Sequence, residues 1–554
     1  MTEKYTLDFL REKTALEVPA GTTLMNALKE AGIFLDAPCA GHGTCGKCLV
    51  KISRDGKPWE TVKACQEKIT NATVIDTSGS RLKHQILTTS YIRQVPFLPQ
   101  LPAIPEVKDC CMAAFDIGTT TIAAYLLEGQ TGKELCTASS LNPQAAYGAD
   151  VISRANYVLE HGPKELSDCI HRAVDSLIGE LVKKAHISRE NITLVCFVGN
   201  TCMHHIFFGL PMESLVRAPY EPYEKSLRRE KAADFQISIH PEGELLFLPV
   251  IAGFVGADTM GCLLSLRPDL KEEITLMLDI GTNGELVLGN KDKLVCCSTA
   301  AGPAFEGAKI TCGMRGAQGA IDHVFFDGSS FSFSVIGGGR PKGLCGSGLI
   351  DTIACLRRAG LIDETGRLLD KEEVWELNKT AEPAKSPEAD KEANRRQDMA
   401  SHMARIDNLP AFLFDPKDSS VYLTQKDIRE VQLAKGAIAA GILLLEKHLS
   451  IAHEDISQVY IAGAFGNYME PQSACDIGLL PGALRKRITP VGNAAGEGAK
   501  ISLLNKEELK VTKRLMNEID FLELAAIPEF QDCFVDELEF PELVLSTLNA
   551  LPFH

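Results

Sequence analysis

The sequence predicts an α/β protein in which a small cysteine-bearing unit precedes two copies of one strand-rich lobe. The lobes are predicted by a repeat. Asp116-Ile117-Gly118-Thr119-Thr120-Thr121 and Asp279-Ile280-Gly281-Thr282-Asn283-Gly284 each end an apolar run and open a turn, and two more apolar runs follow each turn. Further on in each copy, a helical stretch leads to a buried strand that runs into a glycine turn, at residues 195–200 and again at 458–467. An internal repeat of this kind is the strongest guide to architecture. The N-terminal unit is predicted by Cys39, Cys45, Cys48 and Cys65, spaced C-x5-C-x2-C-x16-C.

The first 90 residues form the N-terminal unit. Residues 5–10 and 15–18 read as a hairpin. Thr22 or Thr23 caps a helix whose apolar side is Leu24, Ala27, Leu28 and Ala31. The cysteine loop follows, then a strand over 49–52 and Cys65. Zinc accepts four thiolates, and a redox dithiol is a further alternative. Zinc ribbons, however, present two C-x2-C knuckles, and only Cys45 and Cys48 form one here. Gly41, Gly43 and Gly46 let backbone N–H groups turn inward, as the sulfides of a 2Fe-2S cluster require. The segment resembles a plant- or adrenodoxin-type ferredoxin domain of β-grasp fold. That resemblance implies a 2Fe-2S cluster on Cys39, Cys45, Cys48 and Cys65. The gap to Cys65 is shorter than in ferredoxins, so Cys65 is the least secure ligand. His42 reads as a loop residue.

Residues 91–109 form a linker. Pro96, Pro99, Pro102 and Pro105 recur every third position, which favours an extended strut. Such a tether would let the first unit swing; the alternative is a strut packed on the body.

The middle domain is expected over 110–190, with its D-I-G-T turn first, a chain break at Asn142-Pro143-Gln144, and helices over 149–159 and 164–185. The C-terminal domain is expected over 191–554. It opens on a strand (192–198) and Gly199-Asn200-Thr201. His204 and His205 follow on a helix. Neighbours on a helix point about 100° apart, so at most one of them faces any metal or corrinoid, and plain helix-start histidines are the preferred reading. A strand over 245–251 leads to a glycine-rich turn ending in Asp258, which either holds a metal or a water or caps a helix.

At the second turn, Gly281 and Gly284 allow a sharp bend and close approach of a ligand. Exposed N–H groups and the Thr282 hydroxyl then suit phosphate oxygens. Asp279, at the end of a buried strand, calls for a cation, and hydrated Mg2+ fits. An ordinary hairpin remains the alternative. Gly346-Ser347-Gly348 opens a helix, a ready anion site. Residues 361–420 are weakly patterned, with a surface insertion expected over 381–405. A helix over 425–449 precedes the strand into Gly463-Ala464-Phe465-Gly466. Asn493-Ala494-Ala495-Gly496-Glu497-Gly498 opens a last helix.

Composition excludes several classes. The 554 residues carry a net charge of −16, so there is no basic surplus for a nucleic acid or an anionic membrane. No run of about 18 uncharged apolar residues appears, so no membrane span is expected. The 18 cysteines, many inside apolar runs, and the lack of a basic-plus-apolar leader favour a reducing, cytoplasmic setting.

Two D-x-G-T hairpins and a late G-A-F-G turn resemble the actin, Hsp70 and sugar-kinase (ASKHA) superfamily of duplicated RNase H-like lobes. That resemblance implies ATP and Mg2+, with Asp116, Gly118, Thr119 and Thr120 as the first phosphate loop. It implies Asp279, Gly281, Thr282, Asn283 and Gly284 as the second, and Gly463 and Gly466 near the adenosine. An alternative alignment takes the 279 loop as first and Gly346-Ser347-Gly348 as second.

The full order of motifs is more specific. A ferredoxin loop, a Pro linker, D-I-G-T-T-T, N-P-Q-x-x-Y-G-A-D-V, G-N-T-x-M-H-H, D-I-G-T-N-G-E, G-x-C-G-S-G and I-A-G-A-F-G resemble the reductive activators of corrinoid proteins in anaerobic methyltransferase and O-demethylase systems. The resemblance implies ATP-assisted transfer of one electron from the 2Fe-2S cluster to a Co(II) corrinoid, regenerating Co(I). It also implies a corrinoid protein partner, an electron donor such as a ferredoxin or flavodoxin, and a homodimer. Ser347 is a candidate corrinoid contact, against a phosphate or structural role. An activator of the 2-hydroxyacyl-CoA dehydratase type fits less well, because such activators lack a ferredoxin domain. A redox-sensing ATP-binding regulator has no visible DNA-binding element, and a small-molecule kinase has no use for a cluster.

Overall fold

The computed structural model describes residues 4–10, 14–31, 33, 48–54, 57–76, 93–102, 104, 107, 109–376, 398–466 and 468–543. The chain divides into two compact units, Met1–Leu266 with Ala494–Asn517, and Arg267–Asn493 with Glu518–His554. Among the described residues no helix is long and apolar enough to cross a membrane.

The N-terminal domain is a β-grasp. Its strands are β1 (Lys4–Phe9), β2 (Thr14–Pro19), β3 (Leu49–Arg54), β4 (Glu60–Lys63) and β5 (Thr73–Asp76), in the order β2-β1-β5-β3-β4. β1 and β5 run parallel, and β3 is antiparallel to both its neighbours. The helix Leu24–Glu30 buries Leu24, Ala27 and Leu28 against Leu7, Phe9, Val50, Ile52 and Ile75, as its spacing predicts. Thr23 caps it through Asn26 N.

The first lobe is a six-stranded sheet of β6 (Cys111–Ile117), β7 (Thr121–Glu128), β8 (Glu134–Leu141), β9 (Ile192–Gly199), β10 (Arg228–Lys231) and β11 (Glu244–Phe247), ordered β10-β11-β9-β6-β7-β8. β6, β7 and β8 form an antiparallel meander, while β9 lies parallel to β6 and β11 parallel to β9. The boundary expected at 190/191 therefore falls inside one sheet: β9 is a central strand of the lobe that β6 opens. Local patterning registers β9 as a strand but cannot say which strands it pairs with.

The lobe is completed from far along the chain. The helix Ala494–Leu504 packs on the helix Ala257–Leu266 so closely that a Cβ on Gly498 would lie 2.0 Å from Gly261 O. Lys500 bridges Glu497 at 2.6 Å and Glu134 at 2.9 Å. The Pro-rich linker is partly tied down as well. Leu98 N donates to Leu504 O (2.8 Å), Lys506 N donates to Leu98 O (2.9 Å), and Arg93 pairs with Glu508 at 2.8 Å. Residues 93–98 thus pack on the body, and this stretch is not a free swinging strut.

His204 and His205 are fully buried, on the helix Thr201–Phe208. His205 Nε2 accepts from Tyr223 N (3.0 Å), which leaves its Nδ1–H for Thr201 O (2.9 Å). The His204 ring packs on Phe208 and Phe247. They are core histidines, as preferred from the sequence. Burial pushes His204 down to about 3 and His205 down to about 4. The folded lobe keeps both neutral, while the unfolded chain protonates them below about pH 6.5, so their contribution is intact above that pH and lost as pH falls. At pH 5 each is expected to remove about 2 kcal/mol from the lobe's stability. Amide hydrogen exchange in β9, corrected for intrinsic rate, should accelerate between pH 7 and pH 5; unchanged protection would refute this.

The second lobe repeats the first. Its strands are β12 (Ile274–Ile280), β13 (Gly284–Gly289), β14 (Leu294–Thr299), β21 (Ile456–Ala462), β22 (Ile488–Gly492) and β23 (Asp520–Leu522), ordered β22-β21-β12-β13-β14-β23. The meander β12-β13-β14 with parallel β21 and β22 matches β6-β7-β8 with parallel β9 and β11. Both lobes are RNase H-like, and the topology makes the 116 and 279 loops the equivalent pair. The 346 loop belongs instead to a small sheet of β15 (Ala320–Phe326), β16 (Phe331–Val335) and β17 (Gly343–Leu344). Residues 403–424, weakly patterned in sequence, fold as the antiparallel strands β18 (Met403–Ile406), β19 (Leu409–Asp415) and β20 (Asp418–Thr424), with Phe412 and Phe414 buried. Of the expected insertion at 381–405, residues 381–397 lie outside the described residues.

Candidate functional site

Two sites emerge. In the N-terminal domain, Cys48 leads into β3 and Cys65 follows β4. Because β3 and β4 pair with Leu49 opposite Lys63, both cysteines come to one end of the hairpin, with Cys48 Sγ 3.3 Å from Cys65 Sγ. Two thiols that close fit adjacent corners of one tetrahedral iron or zinc site. Cys65, the doubtful ligand in sequence, is thus brought to Cys48. Cys39 and Cys45 lie outside the described residues.

In the first lobe, Asp116 is the penultimate residue of β6, and the turn 118–121 closes with Gly118 N donating to Thr121 O (2.9 Å). Asn200, at the end of β9, donates to Thr119 Oγ1 (2.9 Å) and caps the helix Thr201–Phe208 through Met203 N. A Cβ on Gly256 would lie 2.4 Å from Asn200 Cα, so the turn that carries Asp258 packs directly on the Gly199-Asn200-Thr201 turn. Asp258 itself begins the helix Ala257–Leu266, and its Oδ1 accepts from Thr259 N at 2.8 Å.

In the second lobe, β21 lies parallel to β12 with Ala462 opposite Asp279, so the next residue, Gly463, arrives at the Asp279 carboxylate. Gly463 has φ +88°, and a Cβ there would lie 2.9 Å from Asp279 Oδ1. Thr282 Oγ1 donates to Glu306 Oε1 at 2.8 Å, and Gly281 N donates to Asn283 O at 2.9 Å. A Cβ on Gly284 would lie 2.7 Å from Thr299 Oγ1, which explains glycine at that strand start. The loop and its neighbours thus offer a donor set of two carboxylates and a hydroxyl, with Asp279 against Gly463 and Thr282 bonded to Glu306. That donor set suits hydrated Mg2+ and phosphate oxygens.

Comparison with known proteins gives the same domains in the same order. Residues 8–70 match the profile of the 2Fe-2S iron-sulfur cluster binding domain, a span that includes all four cysteines. Residues 111–270 match the RACo middle region, and 273–409 with 388–551 match the C-terminal domain of RACo, the ASKHA domain. The corrinoid activation enzyme RamQ of Eubacterium limosum is 33% identical over 599 residues, covering 96% of this chain and 98% of that protein. The chain belongs to the RACo family. A solved structure, the reductive activator for corrinoid, iron-sulfur protein, matches with a TM-score of 0.66 at 28% identity, over 97% of this chain and 98% of that one. The Co(II) methylated amine-specific corrinoid protein reductase of Methanosarcina barkeri is 23% identical, covering 77% of this chain and 76% of its own.

The RACo middle region ends where the first unit gives way to the second, near residue 270, and not at 190. Within this RACo chain the 346 loop has a different character from the D-x-G-T loops. Ser347 is 4% exposed, and its hydroxyl donates to Asp322 O at 2.8 Å. A hydroxyl committed there holds the helix Gly346–Arg358 to β15, which favours the structural role over a corrinoid contact. Sequence reasoning missed three residues at the loops: Glu306, Asn142 and Arg154. Glu306 sat visibly in A-F-E-G, but its partner is 24 positions away. Asn142 lay in the N-P-Q-x-x-Y-G-A-D-V motif and Arg154 in the helix expected over 149–159, but neither was given a role at the loop.

Proposed function

We propose that this protein is an ATP-dependent activator that reduces the Co(II) corrinoid of a partner protein to Co(I), one electron at a time. The observation that carries the reading is the joining, in one chain, of a four-cysteine β-grasp domain to two lobes with matched D-x-G-T loops, along the full length of a corrinoid activation enzyme. When bound, a plant-type 2Fe-2S cluster supplies a one-electron donor near about −400 mV. Cys39, Cys45, Cys48 and Cys65 would hold it. A Co(II) corrinoid is a poorer acceptor than that, and each 100 mV uphill amounts to about 2.3 kcal/mol for one electron. Differential binding of the Co(II) state can supply part of this, since a ligand that prefers one of two states shifts their equilibrium. The D-x-G-T loops supply the rest of the device. Asp116, Gly118, Thr119 and Thr120, and Asp279, Gly281, Thr282, Asn283 and Gly284, are the residues we assign to Mg-ATP phosphates. Gly463 and Gly466 take the adenosine side, and nucleotide binding gates docking and release. Asp258 holds the metal or orients a water. Cytoplasmic location, a ferredoxin or flavodoxin as electron donor, and a homodimer complete the proposal.

The test is anaerobic optical spectroscopy. The reduced protein is mixed with a Co(II) corrinoid protein, with and without Mg-ATP, and the Co(I) band is followed. The expected result is ATP-dependent Co(I) that vanishes in Cys45→Ser. A normal 2Fe-2S spectrum with no Co(I), across several corrinoid partners, would refute the activator reading.

A further inference from the structure

The N-P-Q-A-A-Y-G-A-D-V stretch, at residues 142–151, has no part in the steps above, yet it wraps the first D-I-G-T loop from behind. Asn142 Nδ2 donates to Gly118 O at 2.8 Å. Arg154 Nη2 donates to Thr119 O at 2.5 Å. Asn142 N donates to Thr120 O at 2.9 Å. Three consecutive carbonyls of the loop are thus held by donors from one short segment.

In a planar trans peptide the C=O and the following N–H point in opposite directions. With the carbonyls of Gly118 and Thr119 drawn inward, the N–H groups of Thr119 and Thr120 are turned away from the lobe's interior. Successive N–H groups presented together make an anion-binding concavity. The Thr119 hydroxyl is oriented in the same way. Its oxygen accepts from Asn200 Nδ2 at 2.9 Å, which leaves its proton to donate elsewhere.

Arg154 is built for this position. It is fully buried, one of the largest buried side chains in the protein. Its Nε donates to Gly148 O at 3.0 Å, and its Nη1 faces Gln144 Oε1 at 3.4 Å. Gln144 is held in turn by Leu166 O at 3.0 Å. A Cβ on Gly148 would lie 2.5 Å from Ser153 Oγ, so the backbone must be glycine for the segment to fold under the arginine. The guanidinium places a fixed positive charge directly behind the loop.

We propose that Arg154 and Asn142 are positioning residues for nucleotide phosphates: they hold the Gly118–Thr120 carbonyls so that the loop's N–H groups and the Thr119 hydroxyl face the phosphate chain. The inference rests on the reading of the D-I-G-T loops as nucleotide loops and adds what sets the first loop's geometry and charge. A purely structural role for Arg154 would weaken binding of the whole nucleotide evenly. A positioning role weakens the phosphate end alone.

The experiment is equilibrium dialysis of the full chain with Mg-ATP and with adenosine, for wild type, Arg154→Met and Arg154→Lys, with circular dichroism to establish folding. The ratio of adenosine Kd to Mg-ATP Kd is expected to fall by about tenfold or more in Arg154→Met, and by less in Arg154→Lys, which keeps the charge but loses the fork. Where Arg154→Met does not fold, Arg154→Lys decides on the same ratio. An unchanged ratio in a folded variant overturns the positioning role alone. A wild-type chain that binds no Mg-ATP overturns the nucleotide reading, and this inference with it.

Discussion

Cys65→Ser is expected to abolish the 2Fe-2S absorbance and slow Co(I) formation by about 100-fold or more. Only thiolates bind such a cluster well, and an alkoxide is a harder and far less acidic ligand. The geometry supports the assignment: its sulfur sits 3.3 Å from that of Cys48, where adjacent ligands of one metal belong. The pair should also act as a unit. Cys48→Ser with Cys65→Ser should be no worse than either alone, because losing one ligand already dismantles the site. Cys533→Ser, at a partly exposed thiol of the second unit, serves as the control. Anaerobic reconstitution followed by absorbance and electron paramagnetic resonance reads the result. A full cluster in Cys65→Ser would remove it from the ligand set.

Gly463→Ala is expected to leave cluster reduction by dithionite unchanged while lowering Mg-ATP-dependent Co(I) formation by about 10- to 100-fold. Two effects combine. The positive φ of +88° disfavours any residue with a Cβ by roughly 1–2 kcal/mol. The added methyl would also stand 2.9 Å from Asp279 Oδ1, inside van der Waals contact, and push the carboxylate from its place. Asp279→Asn alone should give a loss of similar kind, and the double variant should fall short of the sum because both disturb one group. The split between unaffected cluster reduction and lost ATP stimulation is the diagnostic feature. An ATP response that survives in Gly463→Ala would mean that Asp279 and Gly463 do not serve the nucleotide.

The repeat was legible because each D-x-G-T turn ends an apolar run, and strand alternation and turn chemistry are local properties. The β-grasp hairpin and helix were legible for the same reason, since Leu24, Ala27 and Leu28 fall on one side of a helix whatever surrounds it. The domain boundary was not. Whether β9 pairs with β6 or with a later strand depends on residues far away, and a buried parallel strand reads the same in either sheet. The strands over 403–424 escaped because their apolar faces are short and interrupted by turns at Asp407-Asn408 and Asp415-Pro416-Lys417.

The sequence by itself determined the cluster-type cysteine spacing, the two phosphate-type turns and the order of the parts, because each is written in contiguous residues. Only the tertiary structure decided which side chains meet. It brought Cys65 to Cys48, Gly463 to Asp279, Glu306 to Thr282, and Arg154 beneath Thr119, and it buried the Ser347 hydroxyl against Asp322. Those pairings join segments that are distant in the chain. They follow from strand order and close helix packing, which no window of local sequence encodes.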